Sequence, residues 1–156
     1  MSSVRDTPAD HPFRILLAEP QRSRLAAMRH SVRSVALAYG CSNFESAERR
    51  LRAVAPNLLV TNLRLGAGPD LQLVQLTVPP TRCVVYMVPP DLGVLREAQE
   101  MGAFVETWPR VPAALPAYVG AQLPPRDRRD LLRVDRRTLP RGGRRAADGN
   151  ALATVI

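Results

Sequence analysis

The chain has 156 residues, of which 46% are hydrophobic, and a net charge of +8. This size and composition predict one domain with an appendage rather than two domains. Pro or Arg interrupts every apolar run before it reaches the roughly 20 residues that span a bilayer, and the amino-terminal residues lack the apolar core of a signal peptide. We therefore expect a cytoplasmic protein that does not cross a membrane and whose two cysteines, Cys41 and Cys83, are reduced.

The basic residues are 22 arginines, and no lysine occurs. Residues 124–156 hold nine arginines against four aspartates, whereas residues 1–123 hold thirteen arginines against ten acidic residues. The positive charge is therefore concentrated in the tail. Any mechanism that needs a lysine ammonium group is excluded.

The first half of the chain alternates short apolar runs with amphipathic stretches. The run at 13–18 is too short for a buried helix and predicts a strand. Apolar residues then recur at three- and four-residue intervals from residue 25 to residue 35, which predicts a helix. There follow a weak strand at 35–39, a helix opened by a capping box at 42–45 and ended by Pro56, and a continuous apolar strand at 58–62.

The second half continues the same alternation. It predicts a turn at 66–69, a short helix at 70–76, strands at 83–88 and 104–107, and a helix at 92–101 between them. Asp91 is placed to cap the helix at 92–101, and Gly102 is placed to close it. A last helix is expected within 111–123, where Pro116 predicts either a later start or a kink.

Five alternations of strand and helix predict an α/β fold with a doubly wound, five-stranded parallel sheet covered by helices on both faces. In such sheets the ligand site lies beyond the carboxyl ends of the strands. The residues at those ends are Glu19 and Pro20, Asn62, Met87, and Trp108 with Pro109.

The segments at these strand ends resemble the receiver domains of bacterial two-component response regulators. Residues 15–19 are similar to the first receiver strand, which ends in an acidic pair, and residues 56–65 to the segment around the phospho-accepting aspartate. Residues 101–103 and 108–109 are similar to the end of the fourth helix and to the lysine–proline pair after the fifth strand.

The resemblance covers residues 13–123 and implies a flavodoxin-like (βα)5 domain there. Residues 1–12 are expected to be a flexible amino-terminus. Residues 124–156 form an Arg-rich extension, in which mixed charges at 126–137 indicate a short helix and the Gly- and Arg-rich remainder indicates disorder.

Position by position, the resemblance implies a receiver that has lost its chemistry. Asn62 stands where the phospho-accepting aspartate is expected, and Trp108 stands where the lysine is expected. Glu19 remains of the acidic pair, but Pro20 replaces its second member, and Met87, or Val88 if the register shifts by one residue, replaces the Thr or Ser. We expect no catalytic residue, cofactor or metal. The vestigial phospho-acceptor pocket comprises Glu19, Pro20, Asn62, Met87, Trp108 and Pro109, with Val105 in place of the switch aromatic.

The side chains of this pocket carry ordinary structural interpretations. Glu19 is expected to be a surface carboxylate paired with a nearby arginine, and Asn62 to bond neighbouring backbone groups. Trp108 either caps the vacated site or anchors an interface. The Trp108–Pro109 peptide bond is cis if the receiver loop is retained.

The leading functional hypothesis is a phosphorylation-independent pseudo-receiver that is not an enzyme and that binds an unidentified signalling protein in bacterial signal transduction. The face of its last helix is a possible homodimer contact. One alternative is a regulator that binds nucleic acid through its Arg-rich tail. A second alternative is an atypical response regulator that is still phosphorylated in a phosphorelay.

Overall fold

The computed structural model describes residues 12–131. It contains one parallel sheet of five strands in the order β2-β1-β3-β4-β5. This arrangement confirms the predicted doubly wound sheet, and its strand order is that of flavodoxin-like folds. The strands are β1 (Arg14–Ala18), β2 (Leu37–Cys41), β3 (Leu58–Asn62), β4 (Arg82–Tyr86) and β5 (Phe104–Val105).

Five helices cover the two faces of the sheet: α1 (Arg22–Val32), α2 (Phe44–Val54), α3 (Gln72–Leu76), α4 (Leu92–Glu100) and α5 (Val111–Gly120). Helices α1 and α5 bury Met28, Val32, Val111 and Leu115 against one face. Helices α2, α3 and α4 bury small and aliphatic side chains against the other. Because both faces are covered, β3 is buried along its whole length, as its continuous apolar sequence predicts.

Strand β3 has the predicted bounds, and the bounds of the other strands differ from the predicted ones by at most two residues. Strand β2 begins at Leu37 because α1 ends at Val32, and Val35 lies exposed in the turn between them. Strand β5 has only two residues. Glu106 still donates its N–H to Val85 O at 3.0 Å, but the chain then turns into a 3-10 helix at Trp108–Arg110.

The predicted helix ends are largely confirmed. Asp91 caps α4 by accepting from the N–H groups of Gly93 and Val94. Gly102 follows α4 with φ of +104°, a conformation that favours glycine. The capping box predicted at 42–45 is wrong by one residue, because the N-cap of α2 is Asn43, whose side chain accepts from Ser46 N at 2.8 Å.

Helix α5 begins at Val111 and continues through Pro116, so the expectation of a later start is wrong. Proline lacks an N–H, and in a helix this removes the bond to the carbonyl four residues earlier. The loss is tolerated because Val111 and Leu115 are fully buried against the sheet. Tertiary burial outweighs the local preference here.

The first part of the Arg-rich extension is not helical. Residues 124–130 follow α5 without regular secondary structure, so the predicted helix is wrong over 126–130. The rest of the extension, 132–156, and residues 1–11 lie outside the described residues. Within 12–131, no helix is both long and apolar enough to cross a bilayer.

Candidate functional site

A polar cluster lies at the carboxyl ends of three neighbouring strands. Glu19 follows the last residue of β1, while Asn62 and Tyr86 are the last residues of β3 and β4. The register of the parallel sheet pairs Asn62 directly with Tyr86. The sheet therefore brings these three side chains together although they are far apart in sequence.

Glu19 is completely buried at the centre of this cluster. Its Oε1 accepts from Gln21 N at 2.9 Å and from Arg24 Nη1 at 3.4 Å. Its Oε2 accepts from Asn62 Nδ2 at 3.2 Å and from the Tyr86 hydroxyl at 2.5 Å. The predicted arginine partner is therefore present, but the predicted surface position is wrong because the turn into α1 carries Arg24 over the end of β1.

Asn62 uses both ends of its carboxamide. Its Oδ1 accepts from Arg64 N at 2.9 Å, which is the predicted bond to nearby backbone, and its Nδ2 donates to Glu19. Arg64 in turn donates from Nε to Pro89 O at 3.0 Å and so joins the loop after β3 to the loop after β4. The amide supplies a donor that an aspartate at this position would lack.

Tyr86 belongs to the site, and the sequence reasoning missed it. Its hydroxyl donates to Glu19 and lies 3.7 Å from Met28 Sδ. Burial, and then the hydrogen bond and charge of Glu19, raise the pKa of Tyr86, so the hydroxyl keeps its proton. Strand alternation contained the relevant signal, since Tyr86 faces the opposite side of the sheet from Met87.

Trp108 covers the rim of the cluster. Its ring centroid lies 5.2 Å from that of Tyr86, and the guanidinium carbon of Arg24 lies 5.6 Å from the Trp108 centroid. Arg24 thus contacts both the Glu19 carboxylate and the aromatic face. These contacts agree with the capping interpretation of Trp108. The cis peptide bonds in the described part of the chain precede Pro80 and Pro89, so the Trp108–Pro109 bond is not cis.

The remaining predicted pocket residues stand apart from the hydrogen-bonded cluster. Met87 and Val105 are buried in the core on the α2–α3–α4 face. Pro20 and Pro109 are exposed, and neither side chain carries a polar group. The structure therefore unites Glu19, Asn62 and Trp108 of the predicted set and adds Tyr86 and Arg24.

A second polar cluster holds the start of the extension against the edge of β5. Asp127 Oδ2 accepts from Val105 N at 3.1 Å, and Arg129 Nη2 donates to Val105 O at 2.5 Å. These two side chains occupy the backbone groups that a sixth strand would use. We call this contact of Asp127 and Arg129 with β5 the edge clasp.

Further charged contacts support the edge clasp. Arg129 donates to Asp127 at 2.8 and 2.9 Å and pairs with Glu106 at 3.1 Å. Tyr118 of α5 donates to the same Glu106 oxygen at 2.6 Å. Burial acts to raise the pKa of Asp127, but the bonds from Arg129 and from Val105 N–H outweigh it, and the pKa lies below its usual value.

Solved receiver structures share this architecture. The chain is similar to the signal receiver domain of a response regulator from Bermanella marisrubri, with a TM-score of 0.61, 20% identity, and coverage of 70% of this chain and 97% of that one. It is also similar to the receiver domain of DrrB from Thermotoga maritima, with a TM-score of 0.62, 17% identity, and coverage of 70% and 96%. The chain has the receiver fold.

The response regulator RcsB of Salmonella typhimurium gives a TM-score of 0.61 at 14% identity over 70% of this chain, which spans only 59% of RcsB. No family model matches the sequence, and no curated protein matches it significantly. At these identities the similarity establishes the fold alone.

Receiver folds imply a divalent metal at the carboxyl ends of the strands, beside Glu19 and Asn62. The residues present there do not fit one. Hard divalent cations need several oxygen ligands with carboxylates placed together. Here Glu19 supplies a carboxylate whose two oxygens already accept from four donors. Pro20 offers no ligand, and the Asn62 oxygen already accepts from Arg64 N. Arg24 adds a positive charge where the cation would sit.

Proposed function

We propose that this protein is a phosphorylation-independent receiver-like module that acts by protein–protein contact in bacterial signal transduction. Its site lacks a nucleophile and does not fit a metal, so it does not act as a phosphoryl-accepting switch. We place it in the cytoplasm, where the free thiols of Cys41 and Cys83 stay reduced.

One observation carries this proposal: Glu19 is fully buried, and neutral donors and one arginine saturate it. Phosphoryl transfer to a carboxylate needs an accessible anion together with positive charge on the phosphoryl oxygens. Asn62 is uncharged, and its amide already binds Glu19 and Arg64. The pocket has therefore become part of the folded core.

The hydrogen bonds of the cluster also argue against a switch. A ligand can shift a conformational equilibrium only if it binds the two states with different affinity. Met87 and Val105, which the resemblance assigns to the switch positions, are both packed in the core without a polar group that could contact a phosphate. Any signalling contact would then use the surface of one conformation.

The direct test is incubation of the full chain with acetyl phosphate and magnesium, followed by intact mass measurement. We expect no mass increase of one phosphoryl group, while an active receiver domain in the same mixture gains one. Trp108 is the one tryptophan and contacts Tyr86, so its fluorescence reports on the site. Magnesium should leave that fluorescence unchanged. Stoichiometric phosphorylation of any aspartate would refute the proposal.

The variant Asn62→Asp shows whether the site lacks only its nucleophile or lacks several of the groups that phosphorylation needs. Asn62→Asp alone should remain unphosphorylated, because Pro20 and Trp108 still deny the site its second acid and its lysine. If Asn62→Asp is phosphorylated and folded, the pocket is intact except for one residue. The interpretation that the site has lost its chemistry at several positions would then be wrong.

Protein contact is tested by capture of binding proteins from a bacterial lysate with residues 1–131, which retain the edge clasp, and with the full chain. Retention of the same signalling protein by both, at low and at high salt, is the expected result.

The face of α5 remains a proposed homodimer contact, and light scattering across a concentration series tests it. The edge clasp lies next to that face because Tyr118 of α5 bonds Glu106.

A further inference from the structure

The charge of the described residues is divided unequally along the chain. Residues 12–64 contain nine arginines and three acidic residues, whereas residues 65–131 contain six arginines and seven acidic residues. The first half therefore has a net charge of +6 and the second a net charge of −1. The first half comprises β1, β2, β3, α1 and α2, so the positive charge lies on the side of the sheet that ends in β2.

Two arginines of α2 line a cleft at the carboxyl end of β2, and an arginine of α1 approaches the same strand. The cleft has a volume of about 440 Å3, and its lining includes Ser42, Ser46, Arg49 and Arg50. Arg29 reaches the same strand from α1, because its Nη1 lies 3.5 Å from the position that a Cβ on Gly40 would take. We call the surface formed by Arg29, Arg49 and Arg50 around this cleft the arginine cleft.

The arginines of the cleft have no acidic partners among residues 12–131. Within residues 12–131, ion pairs hold Arg24, Arg52 and Arg129, but no carboxylate lies within 4.0 Å of Arg29, Arg49 or Arg50. All three side chains belong to exposed residues. No ion pair neutralises these charges within the described structure, so binding of an anion at this surface is favoured.

The positive surface is longer than a small ligand. Arg22, the first residue of α1, and Arg33, which caps its carboxyl end, are both exposed with Arg29 between them, at intervals of seven and four residues. At 1.5 Å per residue this stripe runs for about 16 Å along the helix. An extended polyanion can contact the stripe and the cleft together, whereas a single phosphate can occupy only one point of them.

The chemistry of the cleft favours a phosphate backbone over an acidic protein. Guanidinium groups match the geometry of phosphate oxygens, and serine hydroxyls such as those of Ser42 and Ser46 also donate to phosphates. Protein interfaces are instead centred on buried aromatic or aliphatic anchors. The lining of the cleft is Gly40, Cys41, Ser42, Ser46, Arg49, Arg50 and Ala53, and it contains no aromatic residue.

We propose that the arginine cleft and the α1 stripe bind the phosphate backbone of double-stranded DNA without sequence preference. The cleft presents no carboxamide side chain to read adenine and no aromatic ring on which bases could stack, and its arginine and serine side chains are donors that suit phosphate oxygens, so we assign the contact to the backbone. This site is distinct from the Arg-rich extension and from the Glu19 cluster. It adds a nucleic-acid contact to the proposed protein–protein function.

The test is fluorescence anisotropy with labelled 20-base-pair duplexes of two unrelated sequences, using the full chain across a salt series. The variant Arg29→Ala/Arg49→Ala/Arg50→Ala is compared with the control Arg96→Ala/Arg110→Ala/Arg128→Ala, which removes the same charge from exposed residues of the other half. Both duplexes should bind equally. The cleft variant should lose affinity by at least tenfold and reduce the slope of log K against log salt by about 2 to 3, since each phosphate contact contributes about 0.9. The control should change the affinity by less than threefold.

Three results would overturn the proposal. Equal losses of affinity for the duplex in the two triple variants would mean that binding depends only on the net charge of the protein. Complete loss of binding on deletion of residues 132–156 would place the contact in the extension. Displacement of the duplex by polyglutamate of equal charge, with the same dependence on the three arginines, would indicate an acidic protein partner. Circular dichroism of both triple variants should match the wild type, since all six side chains are exposed.

Discussion

Two carboxylates are buried at different places along the strand order, one near the middle of the sheet and one at the β5 edge, and they are stabilised differently. Glu19 is completely buried beside the middle of the sheet and is held mainly by neutral donors, with Arg24 no closer than 3.4 Å. Asp127 is 6% exposed at the β5 edge and is held by Arg129 at 2.8 and 2.9 Å. The inner carboxylate depends on a hydrogen-bonded cluster, and the outer one depends on a charged pair.

The difference reflects what each carboxylate does for the fold. Glu19 satisfies the hydrogen-bonding groups that remain at the strand ends where a receiver has its reactive site. Asp127 covers a sheet edge whose unpaired backbone groups would otherwise attract another strand. Breaking the Glu19 cluster should therefore cost global stability, while breaking the edge clasp should expose one edge.

Asn62→Asp should have the largest effect on stability. The substitution replaces a donor to Glu19 with a second carboxylate, so two like charges face each other in a buried site. A buried charge without a partner costs about 3 kcal/mol or more, which lowers the melting temperature by roughly 10 °C. Urea denaturation and calorimetry measure the change.

The control for Asn62→Asp is Asn57→Asp, the same change at an exposed residue just before β3. Asn57 Oδ1 accepts from Arg14 N, and an aspartate keeps that acceptor. Its effect should stay within about 0.5 kcal/mol. Equal melting temperatures for the two variants would show that Glu19 does not depend on the Asn62 donor.

Two tyrosine substitutions compare the two carboxylate sites directly. Tyr86→Phe removes the 2.5 Å bond to buried Glu19 and should cost about 2 kcal/mol, because bonds to charged groups contribute about 1.5 to 3. Tyr118→Phe removes the 2.6 Å bond to Glu106, which keeps its pairing with Arg129, and should cost about 0.5 to 1 kcal/mol. The free energy of unfolding in urea gives both values. A larger cost for Tyr118→Phe would reverse the ranking of the two sites.

The sequence predicted the fold well because periodicity encodes burial. The continuous apolar run at 58–62 and the helix signals at Asp91 and Gly102 each lead to the element that the structure contains. Glu19, Asn62 and Trp108 lie together at the carboxyl ends of the strands, and this placement follows from the alternation of strands and helices. These patterns are local in sequence. In a parallel sheet the residues that follow neighbouring strands lie side by side, so local patterns also predict which residues are close together.

What the sequence did not predict depends on contacts between distant residues. The burial of Glu19 requires Tyr86, 67 residues later, and Arg24 above it. The edge clasp was missed because the mixed charges at 126–137 were interpreted as helical spacing. In the structure Asp127 and Arg129 are two residues apart in an irregular segment, and both contact Val105.

Asp127→Asn should act locally at the β5 edge. The amide keeps the shape of the side chain but weakens its charge-assisted bonds to Arg129. Exchange of the Val105 amide hydrogen should accelerate about tenfold, with a global cost of about 1 kcal/mol. The control Glu100→Gln removes one negative charge from the exposed end of α4 and should leave that amide unaffected. Unchanged exchange in Asp127→Asn would show that the edge is protected by other contacts.

The smallest expected effect is the pH dependence that the edge clasp confers. The folded-state pKa of Asp127 lies below its ordinary value of 3.8, so the unfolded chain takes up this proton first as the pH falls. The stabilisation by Asp127 is therefore complete above about pH 5 and is lost as the pH falls below 3.8 towards the lower pKa of the folded state. The difference in unfolding free energy between wild type and Asp127→Asn should shrink over that interval, as measured by urea titrations at several pH values. A difference that stays constant down to pH 3 would mean that the Asp127 carboxylate gains nothing from Arg129, and the charged pair would then be no stronger than a neutral contact.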